Sequence, residues 1–223
     1  MTREEKAQYI DHTYLKAEGT SKDIDKLISE AIKNKFKTVC VNSSWVKHTN
    51  EKLKGTEVGI TSVIGFPLGA MVTQAKAFEA KLAIEHGADE IDMVLNIGRL
   101  KGGQYEYVLN DIKAVKKVMK NNILKVIIET ALLTVEEARK ATEIVLSSGA
   151  DFVKTSTGFS FRGASFDDIK MMKEVIGDKI GIKAAGGVKT PADFDKMLEL
   201  GATRIGTSSG VKLISGDNVG EEY

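Results

Sequence analysis

The sequence predicts an α/β protein of a single domain folded as a (β/α)8 TIM barrel, and three observations carry that prediction. Eight short β-branched or apolar segments are separated mostly by longer stretches of helical period. A weak repeat, Gly87-Ala-Asp-Glu-Ile-Asp92, Gly149-Ala-Asp-Phe-Val-Lys154 and Gly201-Ala-Thr-Arg-Ile-Gly206, sets a helix-ending glycine ahead of a strand three times over. Apolar runs such as Val126-Ile-Ile suit strands covered on both faces, as in a parallel sheet. Strand then helix, repeated eight times, closes as a barrel. At 223 residues the chain is compact for that class, in which about 250 is typical.

In chain order the strands are expected at 9–15, 38–42, 58–65, 90–96, 125–130, 152–156, 181–185 and 204–208. Between the later ones stand two helix starts. Thr134-Val-Glu-Glu137 fits a capping box, and Thr190-Pro-Ala-Asp193 sets a capping hydroxyl before a first-turn proline and an acid. Residues 1–223 read as one barrel domain without a linker, and the polar stretch 215–223 as a mobile tail ending in Tyr223.

Composition narrows the partners. With 32 basic and 31 acidic residues the net charge is +1, so no charge excess points to nucleic acid or to an anionic membrane. The stretch 61–72 is too short to span a bilayer and is broken by Gly65, Pro67 and Gly69. The single cysteine, Cys40, excludes an intrachain disulfide, and the first residues lack a secretory apolar segment, so a cytoplasmic location is expected.

Two lysines stand out because they lie in apolar or small-residue strands, where an unpaired charge is costly. They are Lys154 in Asp151-Phe-Val-Lys-Thr-Ser-Thr-Gly158 and Lys183 in Gly181-Ile-Lys-Ala-Ala-Gly-Gly187. A lysine is a nucleophile only as the free amine, which a desolvated pocket or a neighbouring cation favours. The repeat puts Asp92, Lys154 and Gly206 in one register, and alternation along each strand turns Asp92 and Lys154 into the barrel. Asp92 between Ile91 and Met93 then needs a cationic partner. Asp11 in Ile10-Asp-His-Thr either caps a turn or lines the same site. Cys40 reads as a small buried residue rather than a reactive thiol. Lys125, placed at a strand start and hence at the stability end of the barrel, reads as mostly structural.

Three strand ends rich in glycine and hydroxyls follow: Thr155-Ser-Thr-Gly158, Ala185-Gly-Gly-Val188 and Gly206-Thr-Ser-Ser-Gly210. Their backbone amides and hydroxyls suit an anion cradle, and strands seven and eight are the usual phosphate site of such barrels. Metal chemistry finds no support. His12, His48 and His86 are scattered, and no metal, dinucleotide, Walker A or Gly-x-Ser-x-Gly motif occurs.

In combination, Ile10-Asp-His-Thr, Val39-Cys-Val-Asn, Asp89-Glu-Ile-Asp-Met-Val, Lys125-Val-Ile-Ile-Glu-Thr, Val153-Lys-Thr-Ser-Thr-Gly and Lys183-Ala-Ala-Gly-Gly-Val resemble the deoxyribose-phosphate aldolase family over nearly the whole chain. The resemblance implies a class I aldolase that reversibly cleaves 2-deoxy-D-ribose 5-phosphate to glyceraldehyde 3-phosphate and acetaldehyde, in deoxyribonucleotide catabolism. It implies Lys154 as the Schiff-base lysine, Lys183 as the second lysine that perturbs it, Asp92 as a proton-relay carboxylate and Tyr223 as a residue assisting protonation. Asp11, Cys40, Thr155, Gly158, Gly186, Gly187, Lys189, Gly206, Ser208 and Ser209 are the expected substrate contacts. No cofactor is implied, since an iminium is itself the electron sink, and a homodimer or homotetramer is left open. Some family members carry a lysine after the Ser-Thr-Gly where this chain has Phe159, which leaves the number of cationic phosphate contacts open. A Schiff-base aldolase or transaldolase for a longer sugar phosphate, and a silent barrel that only binds a phosphorylated metabolite, remain as alternatives.

Overall fold

The computed structural model describes residues 1–216. Tyr223 and the rest of 217–223 lie outside the described residues. Eight parallel strands close in sequence order into a barrel: β1 (Ile10–Thr13), β2 (Thr38–Asn42), β3 (Gly59–Ile64), β4 (Glu90–Val94), β5 (Ile123–Ile127), β6 (Phe152–Lys154), β7 (Gly181–Ala185) and β8 (Arg204–Thr207). Helices follow the strands and cover the outside. Val39, Ile91, Met93, Val126, Ile182 and Ile205 on the outward strand faces are fully or almost fully buried against them, so the main apolar core is the shell between sheet and helices.

The expected helix signals operate. Thr134 Oγ1 accepts the Glu137 N–H at 3.2 Å while the Glu137 carboxylate accepts the Thr134 N–H at 2.9 Å. Thr190 and Asp193 make the same exchange at 3.0 and 2.9 Å, with Pro191 in the first turn. The repeat glycines Gly87, Gly149 and Gly201 have φ of 111°, 85° and 112°, the conformation that lets a helix stop and turn into the next strand.

Six of the eight strands differ from expectation in their bounds, among them β1, β3, β4, β6 and β8, which are shorter than expected, and two boundary differences change how residues are read. Strand β5 begins at Ile123 and ends at Ile127, so Lys125 sits in its middle and not at its start. The apolar Ile123 and Leu124 extend the strand upstream, and Glu129, at φ 55° and ψ 66°, breaks it before Thr130 opens a 3-10 turn. At the C-terminus, Ser215 closes the helix Gly210–Ser215 and Gly216 caps it at φ 89°, so these two residues are not part of a tail.

Strand registers fix the interior. The paired residues Asp92 to Lys125, Lys125 to Phe152, Lys183 to Arg204, Asp11 to Gly206, Asp11 to Thr38 and Thr61 to Glu90 follow the stagger of about eight residues per circuit that this fold takes. At one level, therefore, Cys40, Asp92, Lys154 and Gly206 face inward from the even strands. One level down are Asp11, Thr61, Lys125 and Lys183 from the odd strands. Below them are Thr38, Glu90, Phe152 and Arg204. Asp92, Lys154 and Gly206 thus share a level, as the repeat predicts. Branched apolar side chains usually fill such layers; this barrel fills them largely with charge.

Candidate active site

Inside the barrel, three carboxylates and four cations meet with almost no exposure; Lys154 is 3% exposed, and Asp11, Asp92, Lys125 and Lys183 are wholly buried. Period-two alternation turns each of them inward. Lys154 Nζ lies 2.7 Å from Asp92 Oδ2, and Lys183 Nζ donates to that same oxygen at 2.7 Å. Asp92 Oδ1 accepts from Lys125 Nζ at 2.8 Å. Lys125 pairs with Glu90 at 2.6 Å, and Glu90 accepts from both Arg204 nitrogens at 2.8 and 3.3 Å. Arg204 Nη1 reaches Asp11 Oδ1 at 2.7 Å, and Asp11 Oδ2 accepts from Lys183. Threonines complete the packing: Thr38 donates to Asp11 at 2.8 Å, and Thr61 accepts from Lys125 at 3.2 Å.

These contacts separate the two lysines electrostatically. Burial drives Lys154 below the ordinary lysine value; Asp92 opposes the shift, and the nearby Lys183 charge adds to it. Burial also works to lower Lys183, but Asp11 and Asp92 together outweigh it and its ammonium is held above the ordinary range. Lys125 is likewise held protonated, since Asp11, Asp92 and Glu90 overcome its desolvation. Burial tends to raise Asp92, yet Lys125, Lys154 and Lys183 pull it well below the usual carboxylate value. Lys154 is the lysine of the cluster whose proton is least secure.

The remaining expected residues are spread over the strand ends. Cys40 is buried in a small apolar cluster with Leu15 and Val63, with Phe66 packed against it, and burial pushes its thiol up, so it is an apolar wall and not a reactive group. Thr155 Oγ1 accepts the Ala185 N–H at 3.1 Å and ties the two strand ends together. Gly158, Gly186 and Gly187 have φ of 86°, 66° and 74°. A Cβ on Gly187 would lie 2.4 Å from Ala164 O, so this glycine permits the loops after β6 and β7 to touch. Gly206 serves another need: a Cβ there would lie 3.0 Å from Lys183 Cε. Ser208, half-buried, borders a cavity of about 520 Å³ beside Thr13, Leu15 and Lys26, while the Ser209 N–H is bound by Thr207 Oγ1 at 3.0 Å. Lys189 is exposed at the start of the helix Pro191–Glu199. Phe159 stacks edge-on against Phe66 with ring centroids 5.2 Å apart, which gives this side of the mouth an aromatic pair.

The sequence reading missed the depth of the cluster. Lys125 belongs to its centre, and Glu90 and Arg204 form its floor. The signal was present, because Glu90 precedes Asp92 and Arg204 precedes Gly206 by two residues, the spacing that shares a strand face. Glu129 was also missed. It is buried and accepts from the backbone N–H and hydroxyl of Thr157, anchoring the loop that follows Lys154. Among the described residues no group of acids, histidines and cysteine could hold a metal ion, and no helix is long and apolar enough to cross a membrane.

Comparison with known proteins agrees with the barrel fold. A family model described as DeoC/LacD family aldolase matches residues 6–216. Deoxyribose-phosphate aldolase of Mycoplasmopsis pulmonis is 63% identical over 216 residues, covering 97% of this chain and 98% of the relative. The protein of the same name from Staphylococcus carnosus is 54% identical over 217 residues, 97% and 99% of the two chains. Among solved structures, the tetrameric deoxyribose phosphate aldolase of Aeropyrum pernix superposes with a TM-score of 0.89 at 29% identity, covering 96% of this chain and 91% of that one.

Proposed function

The chain belongs to the DeoC/LacD family of aldolases, and from that premise we propose that it cleaves 2-deoxy-D-ribose 5-phosphate reversibly to D-glyceraldehyde 3-phosphate and acetaldehyde through a Schiff base on Lys154. The observation that carries this reading is a lysine at the C-terminal end of a barrel strand, buried, with its proton destabilised and its amine on Asp92. The free amine adds to the C1 aldehyde, and loss of water from the carbinolamine leaves an iminium. Loss of the C3 hydroxyl proton breaks the C2–C3 bond; the iminium takes up the electron pair as an enamine, and glyceraldehyde 3-phosphate departs. Protonation of the enamine carbon and addition of water then release acetaldehyde and restore the amine.

Three lysines hold Asp92 ionised, which makes it a weak proton store. Its role in this reading is to orient a water and pass the proton on, with Lys183 as the second cation that keeps Lys154 unprotonated. Asp11 fixes Lys183. Gly158, Gly186, Gly187 and Ser208, with Ser209, Thr155 and Lys189 around them, are the proposed phosphate side; Cys40 and Phe66 form the apolar side. We read the protein as a cytoplasmic enzyme of deoxyribonucleotide breakdown that needs no metal or organic cofactor, works as a homodimer or homotetramer, and has no nucleic acid or membrane partner. The exposed Leu68, Val72 and Phe78 support self-association, which sedimentation would test.

Acetaldehyde with borohydride tests the mechanism: a reduced two-carbon adduct on Lys154, located by peptide mapping, is expected. An adduct on Lys183 instead would reverse the two roles, and an adduct on neither would remove the class I mechanism. Product analysis with deoxyribose 5-phosphate tests the substrate.

A further inference from the structure

Beneath Lys154 lie Lys125, Glu90 and Arg204, which no step of this chemistry uses, and they are joined with Asp92, Lys183 and Asp11 in a fixed order. Asp92 bonds Lys125, Lys125 bonds Glu90, Glu90 bonds Arg204, Arg204 bonds Asp11, Asp11 bonds Lys183, and Lys183 returns to Asp92. Three carboxylates alternate with three cations around this closed ring. Lys154 hangs from it at Asp92 alone. The ring is neutral by itself. An ammonium on Lys154 therefore gives the buried cluster an uncompensated positive charge, whereas a free amine leaves it balanced, and burial favours the balanced state.

We propose that Glu90 and Arg204 are positioning residues that set how readily Lys154 gives up its proton, by fixing the charge balance of the ring from its far side. The inference rests on the reading of Lys154 as the nucleophile. Arg204 is locked in place: it donates to Glu90 and to Asp11, and its guanidinium lies 5.4 Å from the Phe152 ring centroid. Every strand around the cluster enters that balance. Inward from them come Asp11 on β1, Cys40 on β2, Glu90 and Asp92 on β4, Lys125 on β5, Lys154 on β6, Lys183 on β7 and Arg204 on β8, while β3 contributes the uncharged Thr61. Cys40, buried and with its thiol pushed up, carries no charge at neutral pH. Removing a carboxylate leaves the ring positive and makes Lys154 shed its proton more easily; removing a cation does the reverse.

The sign of the effect is the test. Full-length Glu90→Gln, Arg204→Gln and the double variant are incubated with acetaldehyde and cyanoborohydride across a range of pH. Reduced adduct on Lys154 is quantified by peptide mass against the wild type at each pH. The acid limb of the trapping profile moves to lower pH for Glu90→Gln and to higher pH for Arg204→Gln, each changing the rate on that limb by about tenfold. The double variant, which removes one charge of each sign, returns close to the wild-type limb. Loosened packing would depress both single variants alike and worsen in the double. Displacement of both in one direction, or two unmoved limbs, overturns the inference. Should Arg204→Gln fail to fold, the downward shift of Glu90→Gln and its cancellation in the double variant still decide. Wild-type protein that traps no aldehyde on Lys154 at any pH refutes the proposed function instead, so the two failures are distinct.

Discussion

Replacing Lys183 by leucine removes one of two ammonium groups bound to the same oxygen of Asp92. Each nitrogen lies 2.7 Å from Asp92 Oδ2. That holds the pair within roughly 5 Å of each other, where like charges repel by on the order of 3 kcal/mol at the effective dielectric of a protein site. Such a difference is worth about a hundredfold in the free-amine fraction of Lys154. The substitution also takes a cation from the ring, and the Lys154 ammonium is the nearest replacement, which works in the same direction. No carboxylate is stranded, because Asp92 keeps Lys125 at 2.8 Å and Asp11 keeps Arg204 at 2.7 Å. The fold should therefore persist, as circular dichroism would report. The expected result is a loss of about a hundredfold in acetaldehyde trapping and in turnover at neutral pH, recovering about tenfold per pH unit as the medium becomes more alkaline. An unaltered pH profile, or a loss of equal size at every pH, would refute the argument that Lys183 acts through charge.

Lys154→Met should raise the melting temperature at pH 7, because the folded protein holds the Lys154 ammonium at a disadvantage. The sign follows from linkage: with the folded pKa below the unfolded one, the penalty is full below the folded value and fades as pH climbs toward the ordinary 10.5. The gap between variant and wild type should shrink over that window in calorimetry, and a variant that melts lower at pH 7 would contradict the burial argument. Chelation with EDTA should leave turnover unchanged, since the described residues contain no metal-ligand group; loss that zinc restores would require a different mechanism. Ser208→Leu should raise KM for deoxyribose 5-phosphate far more than for deoxyribose, the signature of a contact to the distant anion, whereas equal losses would remove Ser208 from the phosphate side.

Where strand periodicity and glycine punctuation acted together, the fold was readable from the residues. The repeat ending in Asp92, Lys154 and Gly206 predicted one inward level, and the registers place those three there. The first-turn Pro191 and the Thr134 capping box marked helix starts that the hydrogen bonds confirm. Lys125 was misjudged because Ile123 and Leu124 extend its strand upstream of the most apolar run, which shifts a start into a middle. Glu90 and Arg204 were overlooked because charged residues at strand entrances usually reach solvent; only the period-two spacing shows that they share a face with Asp92 and Gly206. Closure of the ring lay beyond sequence reasoning. It depends on the barrel stagger that brings Asp11 beside Arg204 and Lys183, residues far apart in the chain.

Branched apolar layers would make a barrel interior stable by packing alone. This interior instead exchanges much of that packing for buried ion pairs, whose desolvation can exceed their attraction. What makes the exchange tolerable is completeness. Each carboxylate oxygen of Asp11, Glu90 and Asp92 accepts at least one hydrogen bond, and every cation of the ring touches at least two carboxylates. The apolar shell outside the strands then carries the fold. A ring complete at six members has no further negative charge to offer a seventh cation. The neutrality that lets the ring be buried is thus the same condition that leaves Lys154 with a poorly held proton, so the stability of the interior and the proton loss on which the proposed Schiff base depends have a single electrostatic cause.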